Sequence, residues 1–382
     1  MTLPTGIYRA DHVGSFLRPK PILSAREHLS AGTTTASSLR ALEDTHVTAV
    51  VRAQLSAGLS SITDGEFRRA YFHLDFLKHL DGVEVQGNII STAAHKDGFS
   101  PPKLLVTGKL GHSKSIQVDD YLYLREQIAA ANPDRPTSVK VCIPSPTMVH
   151  FRGGRSSISE EAYPSLDPSF FDDLARVYRE ELADLYAAGC RTVQLDDTNL
   201  AYLCDAGMRA EAAERHGVES SELARQYARL INAAVGERPK DMTVGIHLCR
   251  GNYRSQWFAQ GGYEPVAEVL FKELDVDAYF LEYDDARSGD FAPLRHLPAG
   301  KVVVLGVMSS KKNELDNREE IAKRVREAAG FCGQGLQQLC LSHQCGFSST
   351  MEGNELSEEE QWAKVRAEVE IAKELWGEDL SK

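Results

Sequence analysis

The stretch from Pro168 to Asp197, PSFFDDLARVYREELADLYAAGCRTVQLDD, decides the fold. It predicts a helix over Pro168–Ala188, a stop where Ala187 and Ala188 give way to Gly189, and a short apolar strand over Thr192–Asp196 that ends on a carboxylate. Glycine stops the helix because it adopts a left-handed backbone that other residues resist. The unit recurs on both sides. Upstream, a helix over Ser38–Ala57 stops at Gly58 and leads into a strand over Ser60–Gly65. Further strands are predicted at Asp11–Phe16, Ser138–Ile143, Met242–Cys249, Ala278–Tyr283, Lys301–Met308 and Gln337–His343. Further helices are predicted at Glu219–Val235, Arg318–Ala329 and, after the last strand, Glu358–Leu375. Ser357 and Glu360 read as a capping box for that last helix.

Strands alternating with helices in this way predict an α/β fold, a (β/α)8 TIM barrel. An open, doubly wound sheet is the alternative. Polar residues decide between them, because they stand where strands end: Ser15, Glu66, Ser145, Asp196, His247, Glu282, Ser310 and Cys345. In a barrel those ends converge on one mouth; in an open sheet they spread along an edge. Two segments break the alternation. Val83–Val118 carries strand-like pieces at Val83–Val85 and Leu104–Val106 and reads as an inserted hairpin or lid after the second strand. Arg152–Ser165 reads as a polar loop. With no repeat or linker in view, residues 1–382 are expected to form one domain.

Composition narrows the function. Net charge is −12, which disfavours a general nucleic-acid binder, since such a protein needs a basic face for phosphates. No apolar run reaches the roughly 18 residues of a membrane span. Met1–Ala10 lacks a basic-then-apolar leader pattern. A cytoplasmic protein is expected, with no membrane or nucleic-acid partner; a homo-oligomer is compatible with the sequence. Seven cysteines, an odd number, do not suggest a disulfide framework.

The chemical signal is strongest at Gly245-Ile246-His247-Leu248-Cys249-Arg250-Gly251-Asn252. Residues two apart on a strand share a face, so His247 and Cys249 point together into the barrel mouth. A His-x-Cys pair alone more often serves packing. Two later strand ends change the balance: Glu282 follows the sixth strand and Cys345 the eighth. Imidazole, two thiols and a carboxylate make a tetrahedral zinc set, and they match neither an iron facial triad nor a blue-copper pattern.

These residues resemble the catalytic half of cobalamin-independent methionine synthase, and other stretches agree in order and strand placement. Val13-Gly14-Ser15-Phe16 resembles the family's first-strand substrate loop, and Asp64-Gly65-Glu66-Phe67-Arg68-Arg69 its second-strand glutamate motif. Pro144-Ser145-Pro146-Thr147 resembles its third-strand turn, and Leu195-Asp196-Asp197 its fourth-strand acid. The resemblance implies that His247, Cys249, Glu282 and Cys345 bind zinc. It implies that Gly14 and Ser15, with Glu66 and Asp196, hold the amino-acid end of a thiol such as homocysteine, and that Phe151 lines the donor side where the synthases carry a tryptophan. The implied reaction is transfer of a methyl or other alkyl group to a zinc-bound thiolate, with a small-molecule thiol and an alkyl donor as partners.

The chain departs from the family in three places. The full-length synthases carry an additional N-terminal barrel that helps bind folate, whereas one barrel fills this sequence. They carry a histidine after the seventh strand, where Gly306-Val307-Met308-Ser309-Ser310-Lys311-Lys312 offers Lys311 instead. The segment after Glu282 differs, reading Tyr283-Asp284-Asp285-Ala286-Arg287; the short stand-alone members resemble this chain better than the full-length synthases do, and that group also resembles the zinc enzymes that join epoxides to a thiol coenzyme. These departures imply a donor other than polyglutamyl folate, such as a sulfonium or a methylated corrinoid, including one carried by a corrinoid protein. Lys311 is the candidate catalytic acid. Epoxide transfer to a thiol, or a lyase step on the same scaffold, is the rival reaction, and a non-catalytic zinc-binding scaffold is the rival class.

Overall fold

A computed structural model describes residues 1–86, 102–131 and 133–382. Its strands run β1 (Ser61–Ile62), β2 (Asp81–Gln86), β3 (Lys103–Gly111), β4 (Ser138–Val139), β5 (Val141–Pro144), β6 (Thr192–Asp197), β7 (Thr243–Leu248), β8 (Ala278–Glu282), β9 (Val302–Met308) and β10 (Leu339–His343). Six of them form one parallel sheet in the order β10-β9-β8-β7-β6-β5. β1 pairs in parallel with β4, which leads directly into β5. Ala10 bridges Leu341 of β10 in parallel, through Leu341 N–H to the Arg9 carbonyl at 2.7 Å and Asp11 N–H to the Leu341 carbonyl at 3.0 Å. The remaining gap, between the first segment and β1, is closed by two side chains and one backbone bond: His12 Nε2 lies 2.9 Å from the Ser61 carbonyl, Thr63 Oγ1 donates to the Gly14 carbonyl at 2.6 Å, and Phe16 N–H donates to the Gly65 carbonyl at 3.1 Å. The architecture is a TIM barrel.

Alternation along the strands separates two apolar layers. Ala278, Phe280, Val302, Val304 and Cys340 point inward, where Leu3 and Ile7 of the N-terminal segment cover them. Tyr279, Leu281, Val303, Leu305, Leu339 and Leu341 point outward under the helices and belong to the main core. Both faces of each strand are therefore dry, which is why β6 to β10 read as continuous apolar runs. The helices Ala36–Ala57 and Ser169–Ala188 end at Gly58 and Gly189 in left-handed backbone, φ 103° and 107°. The Ser357–Glu360 capping box starts the last helix, Glu358–Trp376.

Three expectations need correction. Asp11–Phe16 is not a ladder strand beyond the Ala10 bridge. The Asp11 carboxylate accepts the His12 amide at 2.8 Å, Gln194 Nε2 donates to the Val13 carbonyl at 2.6 Å, and Gly14 turns to φ 132°. Side chains thus take part of the hydrogen bonding that a neighbouring strand would supply, and isolated backbone bonds, Phe16 N–H to the Gly65 carbonyl and Phe347 N–H to the Ser15 carbonyl, take more. The second strand is shorter than Ser60–Gly65, because Gln54 receives the Thr63 amide at 3.0 Å and donates to its carbonyl at 2.7 Å. Helices over Val118–Ala131 and Ala206–His216 were not expected. The inserted hairpin is present: β2 and β3 pair antiparallel, with Val83 opposite Val106 and Val85 opposite Leu104. Its centre, residues 87–101, lies outside the described residues. The Arg152–Ser165 loop packs on it through Ser159 N–H to the Val106 carbonyl at 2.8 Å.

Candidate metal centre and reaction cavity

Parallel register brings the predicted ligands together. His247 sits opposite Asp196 on β6, and the Cys249 amide extends that ladder to the Asp197 carbonyl at 2.8 Å. Glu282 ends β8 and Cys345 follows β10. One ligand atom from each of His247, Cys249, Glu282 and Cys345 lies within 4.8 Å of the others, and all four residues are buried. Cys249 Sγ and Cys345 Sγ are 3.5 Å apart. Glu282 and Cys345 come from strands separated by β9, and Gly306 makes their approach feasible. It pairs with both Glu282 and Ser342, and a Cβ there would lie 2.7 Å from the Leu281 carbonyl oxygen and 2.6 Å from Gln344 Cα.

Two of the candidate ligands, His247 and Glu282, are oriented from behind. His247 Nδ1 lies 3.1 Å from the Phe280 carbonyl, which accepts only, so in the neutral ring Nδ1 carries the proton and the lone pair is on Nε2. That Nε2 is buried without a hydrogen-bond partner, the arrangement a metal ligand has. Glu282 Oε1 accepts the Arg250 amide at 2.7 Å, and Oε2 accepts Arg287 Nη2 at 3.0 Å. The Arg250 guanidinium, fully buried, donates to the Glu282 carbonyl and to Tyr263 at 2.9 Å each.

The electrostatics show what the cluster lacks. A hydrogen bond from Cys249 holds the Cys345 thiol well below the usual range despite burial, with His247 adding to the effect; the Cys249 thiol is pushed well up by the same bond and by burial. Burial alone would depress His247, but Cys345, Asp196 and Glu282 raise it to about 9. Burial alone would raise Glu282, but Lys311, Arg250, His247 and Arg287 hold it below the ordinary carboxylate value. The set holds an excess of negative charge and retains protons to offset it. A dication fits this donor set, and the softness of two thiolates with an imidazole favours zinc.

The ligands face a cavity of about 510 Å³. His247, Cys249 and Cys345 line it, together with predicted residues Ser15, Glu66 and Asp196. Gly14 stands just behind: a Cβ on it would lie 2.6 Å from Glu66 Oε1 and 2.7 Å from Cys142 Sγ. Lys311 lies beside the ligand set. It is buried, its Nζ is 3.5 Å from the Gly251 carbonyl, and its charge lowers Cys249 and Glu282. Phe151 does not line the cavity. It packs in the core against Tyr202, His216 and Tyr227, with centroids 6.1, 5.8 and 6.2 Å away, and Tyr202 is the ring of that stack that lines the cavity. His343, a possible alternative ligand by position, stands instead 2.7 Å from Glu368.

Glu66 and Asp196 already share a cation. Arg69 Nε donates to Glu66 Oε2 at 3.1 Å, and its Nη2 is 3.3 Å from Asp196 Oδ2. Burial raises Glu66 to about 7, partly offset by Arg69, and raises Asp196 as well. Glu66 also holds a left-handed backbone, φ 61°, unusual for a residue with a side chain. Arg18 donates to the Glu66 carbonyl, and Arg68 turns away to Asp44 and Asp120. Glu66 and Arg69 also line a second, charged cavity of about 280 Å³, which reaches Arg40, Asp64 and Lys78.

Several cavity residues were not anticipated: Tyr71, Phe72 and His73 after the Glu66 motif, Asn252 after Cys249, Phe258, and Ser349 after Cys345. Their signal was position, since each follows a site motif within a few residues.

The comparisons identify the family and the fold. Residues 9–374 match the family model described as the cobalamin-independent synthase catalytic domain. YxjG of Bacillus subtilis, itself uncharacterised, is 42% identical over 97% of this chain and 95% of its own length. A solved candidate vitamin-B12 independent methionine synthase from Listeria monocytogenes is 37% identical, with TM-score 0.76 over 99% of this chain and 100% of that one. A B12-independent methionine synthase from Shewanella, solved with selenomethionine, shares the fold at TM-score 0.70 and 19% identity, covering 97% of this chain and 98% of that one.

Proposed function

Because this chain belongs to the cobalamin-independent synthase catalytic-domain family, we propose that it transfers an alkyl group, a methyl in the first instance, to a thiol such as homocysteine. The observation that carries this reading is that three of the four candidate ligands, His247, Cys249 and Cys345, line the reaction cavity instead of being sealed from it. Structural zinc sites are closed, whereas catalytic sites give a substrate access, so the scaffold reading is disfavoured. Zinc bound by His247, Cys249, Glu282 and Cys345 would supply a Lewis acid that takes the place of the thiol proton near neutral pH.

The chain's own residues do the rest. Glu66 and Asp196 offer negative charge to the ammonium of an amino-acid thiol, in exchange for part of their contact with Arg69. Ser15 stands at the same end. The aromatic wall of Tyr71, Phe72, Tyr202 and Phe258 keeps water from the electrophilic carbon. Lys311 offers a positive charge beside the ligand set.

The donor follows from Lys311. A folate amine leaves readily only when protonated, assistance typically worth about 10²–10⁴-fold, and lysine is a far weaker acid than histidine near neutral pH. A donor whose methyl is already activated, a sulfonium or a methylated corrinoid, needs no such proton. The test is a donor screen on the zinc-loaded protein with homocysteine. Turnover with a sulfonium or methylcorrinoid and little with methyltetrahydrofolate is expected. Efficient methionine formation from free methyltetrahydrofolate would refute the donor assignment. Thiol addition epoxide by epoxide, without methyl transfer, would favour the rival reaction. Absence of thiol-dependent proton release would favour a scaffold.

A further inference from the structure

The proposed reaction creates a hazard for the enzyme. Cys249 and Cys345 both line the cavity into which an electrophilic alkyl donor would come. A protein thiolate there can attack the donor as readily as the substrate sulfur, and alkylation would destroy the ligand set. The two thiols are not treated alike by their surroundings.

Ser349 Oγ lies 3.5 Å from Cys345 Sγ, and Asn252 Nδ2 lies 3.3 Å from Ser349 Oγ. Asn252 Nδ2 also faces the Gly346 carbonyl at 3.1 Å, and a carbonyl only accepts, so the amide nitrogen must point that way. Asn252 therefore donates to Ser349. The Ser349 hydrogen cannot point back at that donor, and it is free to point at sulfur. A ligating Cys345 is a thiolate and can only accept. The bond then runs Asn252 N–H to Ser349 Oγ, and Ser349 O–H to Cys345 Sγ.

On the reading that this cavity serves alkyl transfer, we propose that Ser349, oriented by Asn252, is a positioning residue that tempers the nucleophilicity of Cys345 and so directs the alkyl group to the substrate thiol. A hydrogen bond withdraws charge from the sulfur, and thiolate nucleophilicity falls with basicity, by about threefold for each tenfold loss of basicity. Hydrogen bonds around ligating groups tune metal sites in the same manner. Cys249 has no hydroxyl partner of this kind among the described residues; its nearest partner is Cys345 itself.

The test uses the zinc-loaded protein and iodoacetamide, whose carbon forms a bond to sulfur as iodide leaves. Mass spectrometry follows the alkylation rates of Cys345 and Cys249 separately, and zinc content is measured in parallel. Ser349→Ala is expected to raise the Cys345-to-Cys249 rate ratio about three- to tenfold, with zinc retained. Ser349→Thr, which keeps the hydroxyl, is expected to restore the ratio. Asn252→Ala, which releases the serine hydroxyl to turn, is expected to raise it by a smaller factor, and it gives the reading if Ser349→Ala loses its zinc. An unchanged ratio in the variant that retains zinc would overturn the proposal, as would an equal rise at both cysteines, which marks general loosening. Failure of the unaltered chain to bind zinc would instead overturn the functional reading on which the proposal rests.

Discussion

From β5 round to β10, each strand is joined to the next by a parallel backbone ladder, and this arc carries His247, Cys249, Glu282 and Cys345. From Ala10 round to β4 the ladder shrinks to one bridge and two register pairs, and side chains such as Gln54, Thr63, Lys140 and Gln194 do the joining. That second arc carries Ser15 and Glu66. Backbone ladders fix strand ends to within fractions of an ångström, which a metal set needs. Side-chain joints admit the unusual backbone of Gly14 and Glu66, which turns groups toward a ligand. On the proposed reading the first arc would hold the ion, and the second would meet a small molecule together with Asp196 of β6.

The largest expected effect falls on the ladder arc. Cys249→Ala, Cys345→Ala or His247→Ala should lower zinc from about one per chain to a small fraction, measured by elemental analysis, and reduce turnover by about 10³-fold or more. Normal zinc content in all three would break the assignment of the ion to this arc.

A smaller effect is expected across the mouth. Glu66→Ala or Asp196→Ala should weaken homocysteine by about 10- to 100-fold, the scale of a hydrogen bond to a charged group, and leave 4-mercaptobutyrate, which lacks the amine, nearly unchanged. Arg69→Gln removes the internal cation and should tighten homocysteine. Calorimetric binding of both thiols checks this; parallel losses would assign the carboxylates to the fold.

Stability against pH sharpens the contrast further. Burial raises Glu66 and Glu43 to about 7, so the folded chain holds protons that the unfolded chain releases near 4.5. The stability from these groups is full below about 4.5 and is lost as pH rises through about 7. In metal-free protein, Glu66→Gln should flatten the fall in urea midpoint across that window, an effect on the order of 2 kcal/mol. An unaltered slope would show that Glu66 is ionised throughout. The smallest effect concerns Phe151. Phe151→Leu should cost about 1–2 kcal/mol of stability through lost packing and leave the donor KM unchanged, while Tyr202→Ala raises that KM. A donor effect from Phe151 alone would return it to the cavity.

The ladder arc was the more legible part of the sequence. His247 and Cys249 share a face because a strand has period two, and Glu282 and Cys345 sit where apolar runs end. The Asp11–Phe16 stretch has a strand's apolar pattern without its ladder, because Asp11 and Gln194 side chains take the His12 amide and the Val13 carbonyl and Gly14 turns the backbone aside. The helix Ala206–His216 has a cap at Asp205 and a stop at Gly217, yet it buries only Ala212, so it has no apolar stripe to be seen. Phe151 is ambiguous in the sequence because an aromatic just past a strand can turn either to the mouth or to the core; in the structure it packs against His216 and Tyr227. Arg69 as the partner of both Glu66 and Asp196 joins two strand ends in space, which spacing along the sequence does not encode.

The Glu66–Arg69 pair borders two cavities, and the charged one is also bordered by Arg40 and Lys78, whose side chains are 43% and 36% exposed. One ion pair is thus a shared wall, so a change in either side chain alters the lining of both spaces at once.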